Sequence, residues 1–266
     1  MHLKPVAKNT KLGLRSKDAQ PPKLAPTGQE LTDATALQAE RISELQRVFY
    51  ADSRHALLIV LQARDAGGKD GTIRHVFSSV NPQGCQVASF KQPTDDELHH
   101  DYLWRVHARV PARGMIGIFN RSHYEDVLVA RVNALVPEKT WTARYAQINH
   151  FERMLSENGV VIVKFFLHVS RDEQKRRLIE RLTDETKNWK FRAGDLDDRR
   201  KWKAYTAAYR DALRRCSTRW APWYVVPADD RKVRNWLVAQ TIIRTLEGLQ
   251  LRYPKADRSV LALKVR

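Results

Sequence analysis

In the stretch "QARDAGGKDGT", Gln62 to Thr72, three glycines stand beside a lysine and two aspartates. Gly67, Gly68 and Gly71 let backbone pass close to an anion, and the amides opening a following helix point at it with the positive end of the helix dipole. Lys69 adds a mobile positive charge. The usual phosphate-loop spelling is Gly, any four residues, Gly-Lys and a hydroxyl residue. Here Ala63 replaces the first Gly and Asp70 the hydroxyl. Asp65 opposes an anion unless a cation bridges the two, which points to Mg²⁺ or to contact with an acceptor group; a bare turn cap is the alternative. Downstream, "FNRSHYEDVLVARV" presents Arg121 where a guanidinium can fork onto phosphate. Ser122 and Glu125 follow at capping-box spacing, so Glu125 either completes that cap or serves an acceptor nucleotide. Arg177 and Arg181, four apart, share a helix face that suits a lid closing positive charge over a phosphoryl group; a solvated face is the alternative.

Such residues need a frame. Apolar runs at Ala56–Gln62, Cys85–Phe90, Met115–Phe119, Val160–Val169 and Trp223–Val226 predict strands, and helical patterns separate them. Continuous apolar strands between helices imply a parallel sheet covered on both faces, hence one doubly wound five-stranded α/β domain. Leu37, Ile42, Leu45, Val48 and Phe49 make a first amphipathic helix. Thr94 with Glu97, Ser122 with Glu125 and Ser170 with Glu173 mark helix starts just after strands, where open α/β sheets gather their ligand loops. Residues 1–31 read as an extended basic arm lying on the surface or disordered, 32–256 as the domain with a helical lid at about 170–216, and 257–266 as a tail. Trp189, Trp202 and Tyr205 are expected to pack the lid.

The chain has 266 residues with 47 Lys and Arg against 30 Asp and Glu, a net charge of +17. That surplus attracts polyanions, whether nucleic acid, an anionic membrane or a phosphate-rich substrate, and charge alone does not choose. Cys85 and Cys216 form no CxxC pair and read as reduced packing residues, which excludes a disulfide scaffold. No apolar run is long enough to span a bilayer, and the opening residues lack a secretory apolar core, so a cytoplasmic protein with no membrane partner is expected. His99, His100 and His107 read as surface residues, and no nucleic-acid-binding signature is present.

An ordered set of strings then becomes specific: "QARDAGGKDGT", "SFKQPTDDEL", "LWRVHARVPARGMIGIFNRSHYEDVLVARV", "DEQKRRLIERL", "NWKF" before "GDLDDR", and "APWYVVPADD". Together they resemble the polyphosphate kinase 2 family from about Thr32 to Leu249. The resemblance implies a P-loop nucleotide kinase fold like that of thymidylate kinase. It also implies transfer of the terminal phosphoryl group of inorganic polyphosphate to a nucleotide with Mg²⁺, or Mn²⁺ in its place. By the same resemblance Asp65, Lys69, Arg121, Arg177 and Arg181 are catalytic, with Asp65 the metal ligand. Arg64, Gly67, Gly68, Lys69, Gly71, Lys91 and Arg121 would hold phosphate, and Asp65, Asn120 and Glu125 would meet the acceptor.

Many members carry Asp where this chain has Asn120, and Asn is a poorer Mg²⁺ ligand. The Asn-Arg-Ser spelling before Tyr-Glu-Asp resembles the branch that phosphorylates both AMP and ADP, and guanine nucleotides are open as acceptors. A homo-oligomer, a tetramer, is also implied. Two alternatives stand: an ATP-dependent nucleotide or small-metabolite kinase on the same fold, and a non-catalytic polyanion or nucleic-acid binder. The second leaves the aspartate in the loop unexplained.

Overall fold

The computed structural model describes residues 2–7, 10, 12–261 and 263. Strands β1 (Ala56–Ala63), β2 (Cys85–Ser89), β3 (Ile116–Asn120), β4 (Val160–His168) and β5 (Trp223–Pro227) lie parallel in the order β2-β3-β1-β4-β5. Each falls within a residue of its apolar run. β1 is central, with Leu57 opposite Ile116 on one side and Val161 on the other. All eight of its positions are buried, because both faces are covered.

Successive side chains of β1 serve two cores. Leu57, Ile59 and Leu61 pack with Phe49 of α1 (Gly28–Asp52), Val76 of α2 (Lys69–Val76) and Trp236 of α10 (Arg231–Glu247). Leu58 and Val60 pack on the opposite face with residues of α5 (Glu125–Val132), α6 (Glu138–Glu157) and α9 (Trp202–Arg215). Each fully buried aliphatic side chain of this kind stabilises the fold by about 1.5–3 kcal/mol. Short helices α3 (Asp95–Leu98) and α4 (Trp104–His107) link β2 to β3, while α7 (Arg171–Thr183) and α8 (Ala193–Arg200) link β4 to α9.

Among its described residues the arm is anchored, with a 3₁₀ turn at Ser16–Ala19, and α1 already opens at Gly28. Val6, Leu14 and Ala19 are buried; Val6 N donates to Trp223 O at 2.8 Å, and Arg210 Nε to Leu12 O at 2.9 Å. It covers β5, an edge strand whose unpaired backbone groups need partners. Residues 1, 8, 9 and 11 of the arm and 262 and 264–266 of the tail lie outside the described residues. Cys216 is buried and free, and Cys85 is half-buried and free. Among the described residues no helix is long and apolar enough to cross a membrane.

Two of the three expected caps form. Thr94 and Glu97 make the full capping box, and Ser170 Oγ accepts from Glu173 N at 3.2 Å. The Ser122–Glu125 box does not form. Arg121 sits at φ 63°, which turns the chain before the helix, so α5 opens only at Glu125 and Ser122 Oγ accepts from Tyr124 N instead. Glu125 is thereby left to another partner.

Candidate active site

β1 ends at Ala63, and the chain turns through Arg64–Gly68 into α2. Ala66 (φ 57°) and Gly68 (φ 99°) take left-handed backbone, and Gly67 N closes the turn on Arg64 O at 3.0 Å. Gly67 has no room for a side chain: a Cβ there would lie 2.5 Å from that of Ala63. From α7, Gln174 Nε2 donates to Asp65 O at 3.0 Å and Arg177 Nη1 to Ala66 O at 3.1 Å, so α7 holds the outer wall of the loop.

Arg177, expected as a lid cation, is a buried brace. It is 4% exposed, and its other donors meet Glu173 at 2.7 Å, Ala228 O at 2.6 Å and Asp229 O at 2.9 Å. Burial lowers its affinity for the proton despite the Glu173 partner. One turn on, Arg181 Nη1 pairs with Asp195 of α8 at 3.1 Å.

Arg121 leaves the end of β3 and forks across two acids, Nη2 to Asp65 Oδ1 at 2.9 Å and Nη1 to Glu125 Oε2 at 3.1 Å. This is where the unused cap residue goes. The loop is fixed from behind by a buried ionic cluster: Lys164 of β4 bonds Glu152 of α6, Tyr124 Oη at 2.7 Å and Cys216 O at 2.7 Å, while His123 meets Glu152 at 3.2 Å. Burial raises the Glu152 carboxyl, but Lys164 and His123 outweigh it and hold it below the usual range.

Lys69 Nζ bonds Ala63 O at 3.3 Å. Burial first, then the Arg121 charge, pulls its pKa down to about 8 against the acids Asp65, Glu125 and Asp70. Asp70, which departs from the ordinary loop spelling, meets Asn120, which departs from the family pattern: Asn120 Nδ2 donates to Asp70 Oδ1 at 2.8 Å, a contact that a second carboxylate at 120 could not make unaided.

Asp65, Arg121, Glu125, Asp198, Trp202 and Tyr205 line one cleft between the loop and α9. Burial pushes the Asp198 carboxyl up to about 6; the Tyr205 hydroxyl, donating at 2.9 Å, opposes the shift and the Asp65 charge adds to it. Arg64 is committed to this wall rather than to the glycines, stacked 3.9 Å over Trp202 and donating to Thr206 Oγ1 at 2.7 Å. Lys91 lies in an exposed turn after β2, where Arg105 donates to its carbonyl and its ammonium makes no hydrogen bond among the described residues. Trp202 and Tyr205 wall the cleft, but Trp189 is 77% exposed, its indole donating to Thr186 O at 3.0 Å with the Lys190 ammonium 4.9 Å over the ring.

Reading the sequence missed Asp198 and Arg234. Asp198 sits in the quoted string "GDLDDR", where one acid among several carried no mark; Arg234, whose guanidinium lies against Gly68, had no local signal at all. Among the described residues no three His, Cys, Asp or Glu side chains are placed to hold a metal by themselves, and His100 stacks on Trp104 at 4.1 Å.

A glycine loop with a lysine at a helix start, an arginine fork and a basic helical lid make a phosphoryl-transfer site. A sequence model of polyphosphate kinase 2 matches residues 27–254. The chain belongs to the polyphosphate kinase 2 family. It is 56% identical over 229 residues to an AMP/ADP-polyphosphate phosphotransferase of Meiothermus ruber, covering 86% of each chain. It is 49% identical over 230 residues to an ADP-polyphosphate phosphotransferase of Rhodopseudomonas palustris, covering 82% of this chain and 80% of that one. The crystal structure of a polyphosphate kinase 2 from Arthrobacter aurescens superposes with a TM-score of 0.92 at 42% identity, over 97% of this chain and 92% of that one. The fold is thus that of a P-loop polyphosphate kinase 2, and the chain is a phosphotransferase of that family.

Proposed function

We propose that this polyphosphate kinase 2 moves the terminal phosphoryl group of inorganic polyphosphate to ADP, giving ATP, and to AMP, giving ADP, reversibly. The observation that carries it is the Arg121 fork, which joins Asp65 of the glycine loop to Glu125 at the mouth of the cleft beside Lys69. The loop amides and Lys69 hold the donor end, and the acceptor lies against Trp202 and Tyr205. An oxygen of the acceptor's terminal phosphate attacks the last phosphorus of the chain. The bond to the next phosphate breaks, and the chain leaves one unit shorter. Arg121 faces both reacting phosphates, and Arg181 brings lid charge over them. Positioning and charge neutralisation supply most of such a rate, and no covalent intermediate is needed.

The donor set suits Mg²⁺, with Mn²⁺ as a substitute. Asp65 and Asp198 bring their carboxyl groups together in the same cleft, and Mg²⁺ is commonly held by one or two carboxylates completed by substrate phosphates. When bound, the cation neutralises charge on the phosphoryl group in transfer. Guanine nucleotides as further acceptors, a cytoplasmic location and a homotetramer belong to this proposal through the family resemblance.

Purified protein given Mg²⁺, polyphosphate and AMP or ADP as sole reactants is expected to make ADP and ATP; absence of both products overturns the donor. Asp65→Asn is expected to lower turnover about a thousandfold, since it removes the charge that aligns the acceptor, while tripolyphosphate still binds. Unchanged turnover would remove Asp65 from the chemistry.

A further inference from the structure

Arg234 stands on the first turn of α10, 2% exposed, with its guanidinium against the phosphate loop. A Cβ at Gly68 would fall 1.9 Å from its Nη1, and one at Gly71 would fall 3.4 Å from its Nη2. Two glycines of the loop therefore leave space that one side chain fills. Its hydrogen bonds go to a single atom, Oδ1 of its own neighbour Asn235, from Nε at 3.1 Å and Nη2 at 2.8 Å. Nη1, the nitrogen nearest Gly68, donates to nothing among the described residues, and Arg234 has no ion pair among them.

The neighbouring cations differ. Arg177 holds Glu173 at 2.7 Å and Arg231 holds Glu180 at 2.8 Å, while Asp230, whose charge reaches Arg234 without an ion pair, caps α10 by accepting from Lys232 N and Val233 N at 2.8 Å. Arg177 also meets the loop through Ala66 O, as a brace does, whereas Arg234 touches the loop without bonding its backbone. Burial, then the charges of Arg177 and Arg231, lowers its pKa to about 9 against the Asp230 charge. A buried guanidinium without an ion pair is costly, and a strut would have been built with acceptors around it.

We propose that Arg234 is a phosphate-binding residue of the donor site, whose free donors take a phosphate of the polyphosphate chain behind the group held by Lys69. The assignment rests on polyphosphate being the donor. In it, Gly68 and Gly71 are glycine to admit this guanidinium as well as the anion. The approaching chain supplies the negative charge that the folded protein withholds from Arg234, so ligand binding relieves a cost built into the free enzyme.

Titration calorimetry of the full chain with inorganic tripolyphosphate, and separately with ADP, tests it on Arg234→Met and Arg234→Lys. Arg234→Met should bind tripolyphosphate at least tenfold more weakly and ADP within twofold of the parent, with a raised KM for polyphosphate. Its ligand-free melting temperature should equal or exceed the parent's, because an unpaired buried charge has gone. Arg234→Lys, which keeps charge but loses the fork, should fall between. Parent-like tripolyphosphate affinity in both variants overturns the assignment while leaving the donor intact. A ligand-free Arg234→Met that melts well below the parent, or does not fold, makes the residue a strut and overturns it too. Failure of the parent itself to bind tripolyphosphate removes the donor, and the assignment with it.

Discussion

At the loop end of α7, Arg177 is 4% exposed and its guanidinium meets only interior partners, whereas one turn further on Arg181 reaches across to Asp195 in the lid. Around Arg181 the surface opens: Ile179 is 49% exposed, Leu182 54% and Trp189 77%. On the loop side, removing one group strands several buried others. On the lid side, partly exposed ion pairs worth about 0–1 kcal/mol each hold α8 in place. The loop is thus held by buried partners and the lid segment by exposed ones, the pattern in which local opening costs least.

Arg177→Met cuts deepest into that contrast. It leaves Glu173 and the carbonyls of Ala66, Ala228 and Asp229 without their donor, and the expected loss is about 3–5 kcal/mol, read from urea unfolding. A loss below 1 kcal/mol would mean the loop does not depend on its brace. Arg181→Met should cost only about 0–1 kcal/mol in stability yet lower kcat about a hundredfold, because it removes lid charge from the transferring group. Equal stability losses in the two variants would erase the distinction.

Lys69 sharpens it through pH. With a free-enzyme pKa of about 8, kcat/KM for polyphosphate should fall about tenfold per unit above that pH, and Arg181→Met should keep the same profile. The sign for stability is opposite. Between about pH 8 and the unfolded lysine value of 10.5, the unfolded chain holds a proton the folded one has released, so the Lys69 contribution to stability rises with pH. Lys69→Met should remove both trends; a flat kcat/KM profile for the parent would show that Lys69 keeps its charge.

The smallest effects come from a glycine pair. Gly68→Ala forces a side chain into left-handed backbone and onto Arg234, with an expected loss of at least about 1–2 kcal/mol. Gly194 in α8 has nothing within 4 Å of a Cβ, so Gly194→Ala should stabilise by about 0.4–1 kcal/mol. A loss there would show that the lid is packed more tightly than its exposure implies.

The strands were legible because a parallel strand covered on both faces reads as a near-continuous apolar run, as Leu57–Leu61 do. The glycine loop was legible because backbone conformation is a local property. Helix caps were legible only where nothing competed. Ser122 and Glu125 have the same spacing as Thr94 and Glu97, but Arg121 draws Glu125 away, and that competitor is visible only once the turn at Arg121 is known. Arg177 and Arg181 likewise share a spacing and part in role, because one faces the loop and the other the lid.

The sequence by itself determined the five strands, the anion-ready loop and the family, since these rest on local conformation and on apolar pattern. Only the tertiary structure decided which group answers which: Asn120 with Asp70, Arg121 with Asp65 and Glu125, Arg177 with the Ala66 carbonyl of the loop, Arg234 with no ion pair among the described residues. Coulomb attraction and desolvation act through space over a few ångströms, and residues that meet here stand 50, 56 and 111 positions apart in the chain.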